Sequence, residues 1–199
     1  MKKILVLLSI LLLAGCQIMN TNVPTVPAAA TSVSPTAAPS DAASAAPIEY
    51  AFTFTARTLE GEEMTQEAFG QYDLTMVNVW ASWCPPCRGE LSELGELYGR
   101  LPENVGFLSV TVDDPGDLKD AQALLTQYGC AFPCVDGQGS EGLMQSLLGR
   151  VMAIPTTVFF DRAGNEVGDW IVGVPQGKGS VADAYLSEIQ TRLDLLNGK

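Results

Sequence analysis

The sequence predicts an α/β domain over residues 48–199, a central mixed β-sheet flanked by helices with a short β extension in front. Three observations predict it. The stretch is about 150 residues long, a size that supports one domain around one core. Within it, β-rich runs alternate with segments whose apolar residues recur at the helical period. The order is strand, helix, strand, helix, then a hairpin and a closing helix, which puts parallel and antiparallel neighbours in one sheet.

The elements follow in turn. Ala51–Thr55, with Phe52 and Phe54 alternating, reads as a short strand. Leu59-Glu60-Gly61-Glu62-Glu63-Met64 reads as a hairpin turn, and Thr65 is placed to cap a helical turn through Phe69. Thr75-Met76-Val77-Asn78-Val79-Trp80 is β-rich and suits a buried central strand. Helix signals begin soon after: Leu91, Leu94, Tyr98 and Leu101 recur at i, i+3, i+7 and i+10. Glu90, Glu93 and Glu96 fall on another side and read as a solvated face. Val105–Val112 is a strand, and Leu118, Ala121, Leu125 and Tyr128 line a helix for Asp117 to cap. Residues 141–149 suggest a short helix. Thr156–Asp161 is a strand that Ala163-Gly164-Asn165 turns into another at Glu166–Val172. The last helix covers Ser180–Leu196, with Leu186, Ile189, Leu193 and Leu196 inward.

Ahead of this domain, Lys2 and Lys3 precede an apolar run, Ile4–Leu13, that is too short for a comfortable bilayer span. Leu13-Ala14-Gly15-Cys16 resembles a bacterial lipobox, which implies cleavage before Cys16 and a lipid on its sulfur. The alternative is an ordinary secretory signal with a chance cysteine; both imply export. Residues 1–15 are thus read as signal peptide, and residues 16–47 as the lipidated Cys16 and a disordered tether. Gln17–Pro47 is almost entirely Ala, Pro, Thr, Ser, Val and Asn, with Asp41 its only charge, and cannot bury enough apolar surface to offset its ordering entropy. Its root-mean-square reach as a flexible coil is about 30 Å. The chain carries 11 Lys and Arg against 23 Asp and Glu, and cleavage removes two of the 11. That excess argues against nucleic acid and against electrostatic attachment to anionic lipid, so membrane contact is expected only through the anchor on Cys16.

Residues 78–90 read NVWASWCPPCRGE, with Cys84 and Cys87 two residues apart behind a tryptophan. Such a pair is a staple, a metal clip or a reagent. There is no histidine, which removes Cys-His catalysis, histidine ligands and a histidine pH switch. Four cysteines could bind zinc in principle, yet the C-x₃-C spacing of Cys130 and Cys134 suits it poorly, and no metal is assigned. Prolines are tolerated in a first helical turn, so Pro85 and Pro86 put Cys84 at the helix start and Cys87 one turn inside. The helix dipole and free N–H groups there favour a thiolate. For Cys130 and Cys134 three readings stay open. In an extended segment their Cα atoms lie about 13 Å apart, beyond the roughly 7 Å a disulfide spans, but a turn at Phe132-Pro133 would close the gap. They are two buried core residues, a local disulfide, or a second thiol pair exchanging with the first.

VNVWASWCPPCRGEL resembles the active site of thioredoxin-fold proteins, specifically the membrane-anchored, extracytoplasmic disulfide reductases of the TlpA/ResA type. IPTTVFFDRAGNEV resembles their cis-proline loop and hairpin, and YGCAFPCVD the central insertion they carry. The resemblance implies a thioredoxin fold and a protein-disulfide reductase with no cofactor beyond the redox-active cysteines. It makes Cys84 the nucleophile and Cys87 the resolving thiol. It also makes Pro155 a cis-proline, with Ile154 presenting backbone to the substrate beside Trp83. Trp80 is implied as a flanking aromatic, and Glu90 as an acidic position frequent after the motif. Asn78 stands where cytosolic thioredoxins bury an aspartate, so proton transfer must use water or another carboxylate. The resemblance implies clients among exported proteins with disulfides, such as apocytochrome c or a methionine sulfoxide reductase, and an integral membrane thiol electron donor. A thiol oxidase or a metal-binding module on the same fold is the alternative. A copper chaperone of this fold needs a histidine, and the threonine-containing peroxidatic motif is absent.

Lowering a thiol pKa from about 8.5 to about 7 raises the thiolate fraction at neutral pH roughly 16-fold, while nucleophilicity falls roughly fivefold. Attack gains little; redox poise gains more. Pro85 and Pro86 offer no N–H to the Cys84 sulfur, so the thiolate is less stabilised and the couple is expected to be reducing.

Overall fold

A computed structural model describes residues 47–198, so the predicted signal peptide, Cys16 and nearly all of the tether lie outside the described residues. Strands β1 (Thr55–Arg57) and β2 (Glu63–Thr65) form an antiparallel hairpin. A 3-10 turn, Gln66–Gln71, follows, and the Thr65 side chain accepts from the Glu67 N–H as expected. The main sheet holds β3 (Leu74–Trp80), β4 (Val105–Thr111), β5 (Cys134–Asp136), β6 (Thr156–Asp161) and β7 (Ile171–Val172), in the order β5-β4-β3-β6-β7. Neighbours β5, β4 and β3 run parallel; β6 and β7 are antiparallel to their neighbours. Helices α1 (Pro85–Tyr98), α2 (Leu118–Gln127), α3 (Glu141–Ser146) and α4 (Val181–Leu196) cover it. This is the mixed sheet flanked by helices that the sequence predicts.

Every residue of β3 and β4 is buried, Thr75, Asn78, Ser109 and Thr111 included, as suits near-continuous apolar strands in the middle of a covered sheet. Side chains alternate between two cores. Met76, Trp80, Phe107 and Phe159 pack with α1, α2 and α4 on one face. Val77, Val79, Leu108 and Val158 pack with α3 and the N-terminal segment on the other.

Several expectations shift. Residues 51–54 form no strand; pairing begins at Thr55, because Phe52 and Phe54 are drawn instead into an aromatic cluster with Phe69 and Phe160, at centroid distances of 5.2–6.0 Å. In α1 the inward face is Cys87, Glu90, Leu91, Leu94 and Leu97, so Tyr98 is half-exposed and Leu101 lies past the helix end. Asp117 makes no side-chain cap, whereas Ser180 and Asp183 form a reciprocal capping box at α4. Leu196 points outward. Of Glu166–Val172 only Ile171–Val172 is strand, joined to a single bridge between Phe160 and Glu166.

Helix α3 sits against backbone. A Cβ at Gly142 would lie 2.3 Å from the Thr53 carbonyl oxygen and 2.8 Å from the Phe54 Cα. Gly142→Ala should therefore destabilise by about 1–3 kcal/mol in urea unfolding. Gly89, which has nothing within 4 Å on an exposed face of α1, should instead gain roughly 0.5–1 kcal/mol as Gly89→Ala.

Candidate active site

The register of three strands assembles the site. Trp80 ends β3 opposite Thr111 of β4, and Val79 lies opposite Thr156 of β6. The loop after β3, the loop after β4 and the loop before β6 therefore meet at one sheet edge. Cys84 is the N-cap of α1, with Pro85 and Pro86 in the first turn where their missing N–H groups cost nothing. The Cys84 and Cys87 sulfurs are bonded to each other, with Cα atoms 5.3 Å apart. The Cys87 N–H donates to the Cys84 sulfur at 3.3 Å, so the helix terminus supplies the sulfur with one donor even though both prolines cannot. Cys87 is fully buried and Cys84 is nearly so, while Trp83 stands 62% exposed beside them.

Facing this pair is a cis peptide bond between Ile154 and Pro155, at the position the sequence predicts. The Ile154 carbonyl oxygen lies 3.6 Å from the Cys84 sulfur. Trp80 is buried in the same core as the two cysteines.

Beneath the sulfurs is a buried polar network. Asn78 Nδ2 donates to Glu90 Oε1 and to Thr157 Oγ1, each at 3.2 Å. The Tyr185 hydroxyl donates to Glu90 Oε2 at 3.0 Å and lies 3.1 Å from Thr157 Oγ1. Glu90, expected on a solvated face, is buried one helical turn beyond Cys87. Two donors waiting inside the core make that burial tolerable. Desolvation pushes its pKa from 4.5 up to about 7, with the hydrogen bonds from Asn78 and Tyr185 opposing the rise. Sequence reasoning missed Thr157 and Tyr185. Their signal was positional: Thr157 pairs with Asn78 across the sheet, and Tyr185 stands four residues before Ile189 on the inward stripe of α4.

Cys130 and Cys134 are not brought to the pair, and both are free thiols. Cys130 Sγ donates to the Leu91 carbonyl of α1 at 3.3 Å, and Cys134 is buried on β5 opposite Ser109. Burial pushes the first thiol up to about 11 and the second to about 12, which leaves both almost wholly protonated near neutral pH.

Glu90 also couples stability to pH. Its native pKa lies above its unfolded one, so the native state holds the extra proton, and stability is full below about pH 4.5 and falls as pH rises to about 7. Wild-type protein should lose roughly 3 kcal/mol across that window relative to Glu90→Gln. Paired urea titrations of the oxidised proteins between pH 4 and 8 measure the difference.

Relatives of this chain carry matching descriptions. It is 36% identical over 110 residues to the thiol:disulfide interchange protein DsbE homolog of Paracoccus denitrificans, covering 54% of this chain and 56% of the relative. It is 29% identical over 121 residues to the thiol-disulfide oxidoreductase ResA of Halalkalibacterium halodurans, covering 60% and 65%. The chain thus spans less than two thirds of the length of these relatives. Among solved structures, a thiol:disulfide interchange protein of the thioredoxin family from Chlorobium tepidum superimposes with a TM-score of 0.59 at 21% identity, over 75% of this chain and 99% of that one, which shows the thioredoxin-like fold. Residues 48–165, more than half of the sequence, match the AhpC/TSA family, and the chain belongs to it.

Proposed function

We propose that this protein is an extracytoplasmic thiol–disulfide oxidoreductase that reduces disulfides of exported client proteins through Cys84 and Cys87. The observation that carries the reading is the bonded pair at the N-terminus of α1 with the Ile154 carbonyl against its outer sulfur. Exchange needs an attacking thiolate, a client disulfide approached in line and a second thiol to end the mixed intermediate; Cys84 and Cys87 would serve as the first and last, beside the Ile154 carbonyl.

The chemistry balances as follows. In the dithiol form, the Cys84 thiolate attacks one sulfur of a client cystine. A mixed disulfide forms, and the client's other sulfur leaves as a thiolate that takes up a proton. Cys87 then loses its proton and attacks the Cys84 sulfur, which releases the client's second thiol. Two electrons have passed to the client, and the Cys84–Cys87 disulfide remains. Glu90 receives the Cys87 proton in this scheme. It stands one turn along the same helix face, and a pKa of about 7 lets it both accept and return a proton near neutral pH. Asn78 has no titratable proton; its amide N–H orients the Glu90 carboxylate.

Client segments dock beside the sulfurs. Trp83, Met144, Leu148, Val151, Met152 and Ile154 line an apolar groove of about 380 Å³, and Met152 is 93% exposed. Two methionines and a tryptophan adapt to many apolar side chains, which suits a reductase with several clients. The family resemblance favours apocytochrome c or a methionine sulfoxide reductase among them. The lipobox-like Leu13–Cys16 supports a lipid anchor on Cys16, with residues 17–47 as the tether. Among the described residues no helix is long and apolar enough to cross a membrane. Return to the dithiol form requires two electrons, which an integral membrane thiol donor would deliver.

Reduced protein should turn over insulin disulfides, and Cys84→Ser should abolish that activity. Cys87→Ser should accumulate clients as mixed disulfides, visible as mass adducts on Cys84; turnover by Cys84→Ser protein would sink the reading. Two prolines and a single N–H donor at the Cys84 sulfur support a couple nearer about −270 mV than about −120 mV. Equilibration with glutathione measures it, and a value above about −150 mV would assign the protein as an oxidase instead.

A further inference from the structure

Asp113 is fully buried just after β4, at the sheet edge where the cysteines sit. Among the described residues no Lys or Arg forms an ion pair with it. An unpaired buried carboxylate is strongly unfavourable unless its lone pairs are filled. Here they are filled by the active-site loop. The Ser82 N–H donates to Oδ2 at 2.8 Å and to Oδ1 at 3.1 Å, and the Ser82 hydroxyl donates to Oδ1 at 2.7 Å. The Thr111 hydroxyl accepts from the Asp113 N–H at 3.3 Å and turns its own proton to Oδ2. Every side-chain contact of the carboxylate is with a donor, so the acceptor-only ionised form is the one that fits.

Ser82 is two residues before Cys84. Both of its polar arms are spent on one carboxylate, while the Cys84 N–H is tied to the Ala81 carbonyl at 3.1 Å and the Val112 N–H to the Trp80 carbonyl at 2.9 Å. The loop that carries the outer sulfur is thus fastened to β4 through a buried negative charge. An asparagine or a packed apolar residue would fill the space without the cost of burying that charge.

We propose that Asp113 is a positioning residue for Cys84: it fixes the Ala81–Trp83 loop through Ser82, and its buried charge opposes build-up of negative charge on the Cys84 sulfur. This rests on Cys84 being the attacking sulfur. A fixed anion hydrogen-bonded to that loop favours the thiol over the thiolate, and in a buried setting solvent screens it weakly. The Ser82 hydroxyl dipole, pointing at the carboxylate, moderates that field. Glu90 faces the pair from α1, and Asp114 adjoins the loop with its carboxylate 3.5 Å from Gln138 Nε2. Both stay unchanged in the variants below.

The test is the pH profile of Cys84 alkylation by iodoacetamide in the reduced full-length protein, read by peptide mass. Asp113→Asn removes the charge, and half-maximal alkylation should move to lower pH by about half a unit or more. Ser82→Ala keeps the charge but strips a donor from it, so its profile should move the other way, and Ser82→Thr should restore the wild-type profile. A clamp of purely structural value would lower the melting temperature and leave all three profiles superimposed; that result, or shifts of the two variants in the same direction, overturns the inference. If Asp113→Asn fails to fold, the contrast between Ser82→Ala and Ser82→Thr decides alone. Insulin reduction that survives Cys84→Ser would defeat the assignment of the site itself, whereas unmoved profiles with Cys84-dependent activity defeat only the role of Asp113.

Discussion

The antiparallel register that sets Val79 opposite Thr156 governs the rest of the molecule. Because β3 is parallel to β4 and antiparallel to β6, the end of β3, the end of β4 and the start of β6 share one edge of the sheet. The cysteine loop, the Asp113 loop and the cis-proline loop come from residues scattered over more than 70 positions, yet they meet because of pairing alone. Slipping β6 by one residue would turn Thr157 from Asn78 into the opposite core and carry the Ile154 carbonyl away from the sulfur. The burial of alternate residues on both faces of β3 is what forbids the slip.

The same register explains why polar residues survive inside this core. Asn78 and Thr157 are cross-strand partners on one face of the sheet, and α1 and α4 lay Glu90 and Tyr185 over them. Taken one at a time, each is a buried polar group with a desolvation cost. Together they exchange four hydrogen bonds, and only the Asn78 side-chain oxygen among these side chains is left without a partner. An amide at position 78 is consistent with this geometry: it donates to both Glu90 and Thr157, which a carboxylate could not do, and a second acid beside Glu90 would repel it.

What the sequence disclosed follows the kind of signal. Cys84, Cys87, Pro85 and Pro86 were legible because a helix start makes specific demands on its first turn, and Thr156–Asp161 because a run of β-branched and aromatic residues favours strand. Glu90 was misread for a physical reason. Taking Tyr98 and Leu101 as inward rotated the α1 face away from Glu90, whereas Leu94 and Leu97, four and seven residues on, point inward with it. Phe52 and Phe54 alternate like a strand, but an aromatic cluster with Phe69 and Phe160 claimed them, and such clusters form between segments distant in sequence. Asp113 was invisible for a related reason. In VTVDDPGD it reads as the first acid of a solvated turn, and only the parallel pairing of β3 with β4 brings Ser82 to it.

Two buried acids therefore approach the cysteines from different sides, and their surroundings separate their roles. Glu90 has two donors, an amide and a phenol, and burial outweighs them, so its carboxyl changes protonation near neutral pH. Asp113 is met by a backbone N–H and two hydroxyls, all directed at its carboxylate. In the proposed scheme one acid trades a proton with the inner thiol, while the other is bonded to the loop that carries the outer sulfur. With no histidine in the chain, this division supplies from carboxylates alone what imidazole provides elsewhere. Negative charge near the sulfurs works against thiolate at Cys84, and a thiolate less stabilised is a stronger electron donor. In the reductase proposed above, the acids and the two prolines would press the couple in the same direction, towards giving electrons to a client rather than taking them.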